Sequence, residues 1–401
     1  MNEPLPVANR RTVPYGMEAP ESTEWVIWDC YCGLGGFTAG ALMAIAGSSD
    51  AVVSGAALVG VDCALAPLEM WKRNASKAPR VRSATSLCKR IGTDEIEWPD
   101  EDGRLIIHWS PCCQPFSKAR AKPAEQSHKD SGLEQIRLIL DLVVEKGYRR
   151  WSIEEVAHPE IVRLVQEYAA RHPLRIAFDT LDAVAFGCPS ERRRLIVSSA
   201  AMLRDLKSRT STDYVSPKRA FAEAGIDAPA SEFYRNGNVG CEPRPISRPS
   251  FTVTAGHPLV FCNTDRSLVR CMTPSESAVL VGLPPGWELP RKVGEAQRGV
   301  GNVVAPALAR AMVSSALAVE LGPRGAVCTA QAAAAGAFVT RAEVEAMIEE
   351  TLRQPCDTGP SGELCSAQSA GAFVTRAEVT AMINEKLRQT CDPVHKRRKY
   401  Q

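Results

Sequence analysis

The segment from Trp25 to Ala46 places the strongest constraint on the fold of this chain. Trp25-Val-Ile-Trp-Asp29 is a short apolar strand, Cys30 to Thr38 is rich in glycine, and Ala39 to Ala46 is a helical run. A strand, a glycine turn and a helix in this order form the first unit of a doubly wound sheet, in which glycines let the backbone approach a ligand closely. The sequence therefore predicts an α/β fold with a nucleotide-type cofactor at the glycine turn.

The glycine turn does not have the dinucleotide-binding pattern. That fingerprint needs Gly-x-Gly-x-x-Gly, but counting from Gly33 the third glycine position is Thr38. A cofactor of another kind is therefore expected.

Length and composition indicate a globular enzyme-sized chain. Its 401 residues, 45% of them hydrophobic, allow about two domains and a tail. The net charge of +2 means that any contact with nucleic acid must come from local basic patches. Residues 1–24 are polar, so we expect a disordered N-terminus with no leader and no membrane partner. The 14 cysteines form no paired clusters with histidine, which predicts reduced thiols, no metal site and an intracellular location, nuclear or cytoplasmic.

Two adjacent cysteines follow the end of another expected strand. His108-Trp-Ser-Pro-Cys-Cys-Gln-Pro-Phe-Ser117 comes after the apolar run Leu105-Ile-Ile107 and before a loop rich in Lys and Arg, Lys118 to Lys129. A thiol at a strand end is well placed for chemistry, whereas the alternative is a pair of small buried cysteines. The loop could contact phosphates and close over a substrate, or be simply solvated.

These two regions resemble the cytosine-5 methyltransferases. The run Pro-Cys-Cys-Gln-Pro-Phe-Ser is similar to the nucleophile motif of that family, and Asp-x-x-x-Gly-x-Gly-Gly, starting at Asp29, is similar to its S-adenosylmethionine site. The resemblance implies that Cys113, which precedes Gln114, attacks the pyrimidine ring. Cys112 stands where the family usually has a second proline.

The resemblance also implies a set of cofactor-binding residues. Tyr31 takes the position that stacks on adenine, and Asp62, at the end of the strand Ala57 to Asp62, binds the ribose, with a helix cap as the alternative role. The third strand is expected within Val81 to Ile91, and the family's acidic residue in this region is missing, since only Ala84-Thr85-Ser86 is found there. The remaining expected cofactor contacts are Gly33, Leu34, Gly35, Gly36, Asn302 and Val304.

Catalytic partners for Cys113 follow from two further motifs. In the strand Trp151 to Val156, Glu154 matches the family's glutamate that binds the pyrimidine, and Glu155 replaces its asparagine. Neighbouring strand residues point to opposite faces, so Glu155 is expected outside the pocket, or to raise the pKa of Glu154 if the strand has ended. Arg194 is expected to reach the ring oxygen and Arg192 to support the site. Ser190 replaces the family's glutamine in this motif.

The matching blocks run in the family's order from about Trp25 to Leu321. We predict an α/β, doubly wound, Rossmann-like methyltransferase sheet in residues 25–199, a small target-recognition domain in 200–296, and a returning helix in 297–321. Further strands are expected at Leu174 to Phe178 and Arg194 to Ser199, and helices at Gly132 to Glu145 and Ala307 to Leu321. The stretch from Gly299 to Pro306, which resembles the family's last block, is expected to be a turn that opens the second of these helices. The segment from Ala200 to Pro245 shows no convincing periodicity.

The function implied is methyl transfer from S-adenosylmethionine, the one expected cofactor, to carbon 5 of cytosine in DNA. Two alternatives remain open. One is cytosine-5 methylation of structured RNA, and the other is a nucleic-acid-binding protein whose active site has decayed. The second alternative is motivated by Cys112, Glu155, Ser190 and the missing third-strand acid.

The tail, residues 322–401, contains a tandem repeat outside the resemblance. Gly336-Ala-Phe-Val-Thr-Arg-Ala-Glu-Val344 recurs as Gly371 to Val379. In each copy a Thr is followed three residues later by a Glu, which is a capping box, and an apolar stripe follows. We therefore predict a helical, partly disordered tail with two short helices, which are marginal alone in water and need a partner, in the same chain or by self-association.

Because neither tail helix carries a group that the expected chemistry needs, truncation after Arg324 should leave cofactor binding and methyl transfer intact while altering self-association or localisation. Turnover and sedimentation of the truncated protein measure the two effects. A large loss of turnover, with the fold intact by circular dichroism, would contradict this prediction.

Overall fold

The computed structural model describes residues 25–47, 55–101, 104–117, 124–230, 232–235 and 242–319. The expectations for residues 1–24, for the first part of the basic loop (118–123) and for the tail repeats with their self-association lie outside these ranges. The chain divides into two units at residues 320 and 321, and all described residues belong to the first.

Helices and strands alternate through the first half of the described chain, as an α/β fold requires. The strands are β1 Trp25–Cys30, β2 Ala56–Asp62, β3 Val81–Cys88, β4 Leu105–Trp109, β5 Trp151–Glu155, β6 Ala177–Asp182, β7 Arg193–Ser198, β8 Glu232–Arg235, β9 Arg244–Pro245, β10 Leu259–Cys262 and β11 Leu268–Cys271. The α-helices are α1 Gly36–Gly47, α2 Leu65–Ser76, α3 Gln126–Lys146, α4 Pro159–Arg171, α5 Ala200–Ser208, α6 Pro217–Glu223, α7 Pro274–Val281, α8 Val293–Asn302 and α9 Pro306–Ala318.

The first seven strands form one sheet in the order β3-β2-β1-β4-β5-β7-β6. All neighbouring pairs are parallel except those made by β7, which is antiparallel to both β5 and β6. From β1 the chain first builds outward through β2 and β3 and then returns to add β4 on the other side. The predicted doubly wound α/β sheet is confirmed, and its switch point lies between β1 and β4, where such sheets bind ligands.

Both faces of the central strands are buried, which explains their nearly continuous apolar sequence. In β1, Ile27 lies in a core with α1, α2, α5 and α9, whereas its neighbour Trp28 lies in a second core with α3 and α4. The sheet is thus the middle of three layers.

Helices α1 and α9 make an unusually close backbone contact. A Cβ atom added to Gly40 would lie 2.4 Å from the Pro306 carbonyl oxygen and 2.5 Å from the Ala309 Cβ. Glycine at this position therefore lets the start of α9 lie directly on α1, which brings the segment before α9 to the glycine turn.

A smaller antiparallel sheet has the order β11-β10-β8-β9. Its core joins three phenylalanines, Phe221, Phe233 and Phe261, whose ring centroids lie 5.6 to 6.3 Å apart. The same apolar cluster includes Leu34 of the glycine turn. The second sheet therefore packs onto the predicted cofactor region.

Several predicted boundaries were wrong. The strand placed at Leu174 to Phe178 lies at Ala177–Asp182, because Leu174 belongs to an exposed turn after α4. The segment Ala200 to Pro245, where no periodicity was found, contains α5, α6, β8 and β9. These elements are short, but α5 and α6 begin at serine caps, Ser199 and Ser216, whose hydroxyls accept from backbone N–H groups.

The stretch from Gly299 to Pro306, predicted to be a turn, is helical as far as Asn302. Its glycines serve close packing. A Cβ added to Gly301 would lie 2.2 Å from the Ala255 nitrogen, and one added to Gly299 would lie 2.4 Å from Leu34. The returning segment is therefore made of two helices, α8 and α9.

Within the described ranges no single helix has the length and apolar character to cross a membrane, although the bent pair α8 and α9 passes that test together by length and composition.

We predict that Gly40→Ala destabilises the fold by about 1 to 3 kcal/mol, because the methyl group would be forced into the α9 backbone. Gly47→Ala, in the exposed last position of the same helix, is the matched control and should change stability by less than about 1 kcal/mol. Urea unfolding of both variants measures the difference, and equal effects would contradict the packing argument.

Candidate functional site

The glycine turn after β1 has a left-handed backbone at three positions: φ is 61° at Tyr31, 51° at Gly33 and 84° at Gly35. A Cβ on Gly35 would lie 2.8 Å from the Trp71 ring, so packing alone requires glycine there. At Gly33, by contrast, an added Cβ meets no atom within 4 Å. The open space at Gly33 is where a ligand can reach the backbone.

Asp62 is tied to this turn. Its Oδ2 accepts a hydrogen bond from the Gly33 N–H (2.9 Å), and its Oδ1 accepts one from the Ala64 N–H (2.8 Å). The residue capping α2 is Ala64, so Asp62 is not the side-chain cap of that helix. Its carboxylate is partly exposed at the carboxyl end of β2 and retains lone pairs for a ligand.

Tyr31, the predicted adenine-stacking residue, is held from its far end. Its hydroxyl donates to the Gln135 Oε1 on α3 at 3.1 Å, and burial raises the tyrosine pKa. Gln135 was not predicted from the sequence.

Three further residues predicted to contact the cofactor, Val304, Leu34 and Asn302, differ in their burial and in their contacts. Val304 is buried, and its carbonyl oxygen would lie 2.2 Å from a Cβ on Gly36, so the structure brings these two together. Leu34 is buried, and its carbonyl oxygen accepts from the Trp287 indole N–H at 2.8 Å. Asn302 is exposed at the end of α8 and, among the described residues, forms no hydrogen bond with the other predicted cofactor residues.

A buried polar network below the turn was missed. The Asp29 Oδ2 accepts from both the N–H (3.2 Å) and the hydroxyl (2.7 Å) of Thr38, and that hydroxyl accepts from the Trp71 indole at 2.8 Å. Burial raises the pKa of Asp29 to about 7 despite these hydrogen bonds. A carboxylate ending an otherwise apolar strand was the available signal, whereas nothing in the sequence marked Trp71 or Trp287.

The loop after β4 holds Cys113 in place. The Ser110 N–H donates to the Cys30 carbonyl at 3.1 Å, which joins this loop to the end of β1. Cys113 then starts a 3-10 turn, Gln114–Phe116, whose Phe116 ring is buried against Gly132 of α3 and against His158. Cys113 is half-buried, whereas Cys112 is exposed.

Glu154, Arg192 and Arg194 form a buried charge cluster on β5 and the start of β7. The Glu154 Oε1 lies 2.9 Å from the Arg194 Nε and 3.8 Å from the Arg192 Nε. Arg192 also donates through Nη1 to the Gly301 carbonyl (3.1 Å). Burial, followed by the neighbouring Arg194, lowers the pKa of Arg192 to about 10.

Cys113 belongs to the same cluster. Burial raises the pKa of its thiol to about 12; the charges of Glu155 and Glu154 act in the same direction, and Arg194 and Arg192 oppose them. The structure thus brings Glu154, Arg192 and Arg194 together, and their charges act on the Cys113 thiol.

Glu155 lies closer to this chemistry than the alternation rule implied. Ile153, two residues earlier on β5, lies in the core with α3 and α4, and the charge of Glu155 is the largest of the charges that act on the Cys113 thiol. Burial raises its own pKa to about 8, and the charge of Glu154 adds to this. The expected effect of Glu155 on the pKa of Glu154 stays a prediction.

Neither a protein-family model nor a curated protein matches the sequence. Solved structures do resemble it. The S. pombe Dnmt2 methyltransferase has 14% identity and a TM-score of 0.48, covering 73% of this chain and 98% of that one. A Spodoptera frugiperda DNMT2 mutant has 14% identity and a TM-score of 0.45, covering 73% and 99%.

The Entamoeba histolytica methyltransferase EhMeth has 12% identity and a TM-score of 0.46, covering 73% of this chain and 98% of that one. These neighbours are methyltransferases, as the resemblance in the sequence led us to expect. The likeness is remote, so function has to be inferred from the residues of this chain.

The raised pKa of Asp29 predicts a pH dependence of stability. The folded state binds this proton more tightly than the unfolded state, so its contribution is present below about pH 4 and is lost as the pH rises through about 7. Relative to Asp29→Asn, the free energy of unfolding of the wild-type protein should therefore fall by up to about 4 kcal/mol between pH 4 and pH 8.

Chemical denaturation across that pH range measures the difference, with the exposed Asp213→Asn as the matched control. If the difference in unfolding free energy between the wild type and Asp29→Asn does not change over this pH range, Asp29 is ionised in the folded protein and the prediction is wrong.

Proposed function

We propose that this protein transfers a methyl group from S-adenosylmethionine to carbon 5 of cytosine in DNA. The observation that carries the proposal is the ion pair of Glu154 and Arg194, 2.9 Å between Oε1 and Nε, whose charges act on the Cys113 thiol at the same edge of the sheet. Cys113 and the glycine turn follow the neighbouring strands β4 and β1, so they share the switch-point edge of the sheet.

The residues of the glycine turn fit the expected cofactor. Gly33 leaves open space beside its backbone, Asp62 offers carboxylate lone pairs for ribose hydroxyls, and Tyr31 offers an aromatic ring for adenine. Gly35 and Gly36 are required by packing and shape the turn from below. When bound, S-adenosylmethionine supplies an electrophilic methyl group.

The role of Cys113 follows from the chemistry of the ring. Carbon 5 of cytosine is a poor nucleophile while the ring is aromatic, so that aromaticity must first be broken. The Cys113 thiolate forms a bond to carbon 6, which turns carbon 5 into an enamine nucleophile. After methylation a base takes the carbon-5 proton, and the bond between sulfur and carbon 6 breaks to release the thiolate.

Glu154 and Arg194 balance the charge that this addition creates. We assign Glu154 to ring nitrogen 3, to which it passes a proton that it takes up when the Cys113 thiol ionises, and Arg194 to the ring oxygen. Two buried polar atoms support a planar polar ligand here: within the described part of the chain the Arg192 Nε has no hydrogen-bond partner, and the Glu154 Oε1 has only its ion pairs with the two arginines, which are not hydrogen bonds. Arg192, fixed by the Gly301 carbonyl, supports the site.

The base must leave the duplex stack to reach these groups. A half-buried thiol beside buried charges cannot reach carbon 6 of a stacked cytosine, so the proposal includes base flipping. The lysines and arginine of residues 118–123, just after the nucleophile loop, are available in sequence to contact phosphates.

A nucleic-acid-binding protein without turnover is the second candidate. The observation that favours it is the raised pKa of Cys113, which keeps the free thiol protonated at neutral pH. Methyl transfer requires that substrate binding shift this equilibrium towards the thiolate.

Incubation with methyl-labelled S-adenosylmethionine and separate DNA and RNA pools tests the proposal. We expect label in DNA, as 5-methylcytosine. Label only in RNA would change the substrate class, and binding without label in either pool would favour the second candidate.

Covalent trapping tests which thiol acts. On DNA that contains 5-fluorocytosine the carbon-5 fluorine cannot be removed as a proton is, so the protein–DNA adduct persists. We expect Cys113→Ala to abolish this adduct and Cys112→Ala, the adjacent matched control, to retain it. Gel analysis under denaturing conditions detects the adduct, and trapping that survives the loss of Cys113 would refute the assignment.

A further inference from the structure

Glu155 is a buried carboxyl group that the proposed chemistry does not use. It is the last residue of β5 and only 1% exposed. Its Oε2 accepts from the Val156 N–H at 2.7 Å, but its Oε1 is buried and, within the described ranges, lacks a hydrogen-bond partner. An uncompensated carboxylate is costly in such a place, so the neutral acid is favoured.

Cys113 follows β4 and Glu155 ends β5, and these two strands pair in parallel with Trp109 opposite Ile153, so both groups lie at the same edge of the sheet. The charges at this edge can balance only one further anion. Arg192 and Arg194 carry two positive charges, and Glu154 lies within ion-pair distance of both. One positive charge is left, which a thiolate at Cys113 or a carboxylate at Glu155 can neutralise. If both ionise, the buried cluster holds three negative charges against two positive ones.

We propose that Glu155 is a positioning residue that controls the ionisation of Cys113: while Glu155 is neutral the thiolate is balanced by the arginines, and once Glu155 ionises the thiolate is disfavoured. The group at position 155 thereby sets the pH range over which the nucleophile is available. The residue acts through its charge, without bonding to the substrate.

The surrounding groups agree with this role. Burial raises the pKa of both Glu155 (to about 8) and Cys113 (to about 12), and the charge of Glu155 is the largest electrostatic contribution to the shift of the thiol. Arg194 lowers both pKa values. In the loop after β1, burial raises the pKa of Tyr31, and the charges of Cys30, Cys112, Cys63 and Glu155 act in the same direction, so the tyrosine stays neutral.

The consequence for methyl transfer rests on the proposed function. If Cys113 attacks cytosine, an ionised Glu155 lowers the thiolate fraction, and with it the rate, at any given pH above about 8, and a neutral residue at position 155 raises both. The ionisation of the thiol itself can be measured without cofactor or nucleic acid. Failure of the proposed function and failure of this inference are therefore distinguishable.

The experiment follows the pH dependence of iodoacetamide labelling at Cys113 in the full-length protein. A Cys112→Ser background leaves Cys113 as the one thiol in the tryptic peptide from Leu105 to Lys118, so mass spectrometry reports this site alone. We expect Glu155→Gln to move the labelling midpoint down by about one pH unit, because a like charge is removed.

Two controls define the result. Glu155→Asp keeps the charge and should retain the parent profile, and Glu167→Gln makes the same charge change at an exposed position of α4 and should do the same. Glu155→Asn is a second neutral variant in case the glutamine does not fold. A midpoint that stays in place in the neutral variants would overturn the proposal. A midpoint that moves up would also overturn it, because Glu155 would then assist thiol ionisation.

Discussion

The backbone contact between α1 and the segment before α9 holds the site together. Cβ atoms on Gly36 and Gly40 would lie 2.2 Å from the Val304 carbonyl oxygen and 2.4 Å from the Pro306 carbonyl oxygen, so the two segments can meet only through glycine. This contact places the end of α8, which precedes Val304, beside the glycine turn, where Gly299 packs on Leu34. At the end of α8, the Gly301 carbonyl then accepts from Arg192. One packing contact therefore links the cofactor turn to the charge cluster.

The charge cluster itself opposes stability. Burying Glu154, Glu155, Arg192 and Arg194 removes each from water, and ion pairing recovers that cost only when geometry and hydrogen bonding are nearly complete. Here three polar atoms of the cluster have no hydrogen bond within the described part of the protein: the Oε1 atoms of both glutamates and the Arg192 Nε. Apolar residues would stabilise the fold more, so the cluster is better explained by a functional role.

The sequence predicted the parts of this structure that depend on local patterns. Apolar runs located β1, β2, β4, β5 and β7, and the glycine turn identified the switch point. The sixth strand was misplaced because Leu174, although apolar, lies in an exposed turn. Strand β9, with two residues, and helix α5, with nine, are too short to show a periodicity.

The site was predictable only where chemistry coincides with a motif. The resemblance grouped Cys113, Glu154, Arg192 and Arg194, and the structure brings the last three together, with their charges acting on the Cys113 thiol. Trp71 and Trp287 pack on the glycine turn through tertiary contacts, which no local pattern encodes. For Glu155 the alternation rule predicted only that it lies on the opposite face of the strand from Glu154. The rule could not predict the interaction between Glu155 and Cys113, because that interaction depends on the distance between the two charges, and side-chain alternation does not give this distance.

Two buried carboxyl groups lie at the carboxyl-end edge of the main sheet, Asp29 on β1 and Glu155 on β5. Burial raises both pKa values, to about 7 and about 8, so both groups bind protons more tightly in the folded state and both reduce stability as the pH rises through neutrality. Asp29 is offset by hydrogen bonds to Thr38, whereas Glu155 keeps one oxygen unpaired. This difference separates the roles of the two groups. Asp29 organises the turn that packs on Trp71, whereas the ionisation of Glu155 is coupled to that of the Cys113 thiol.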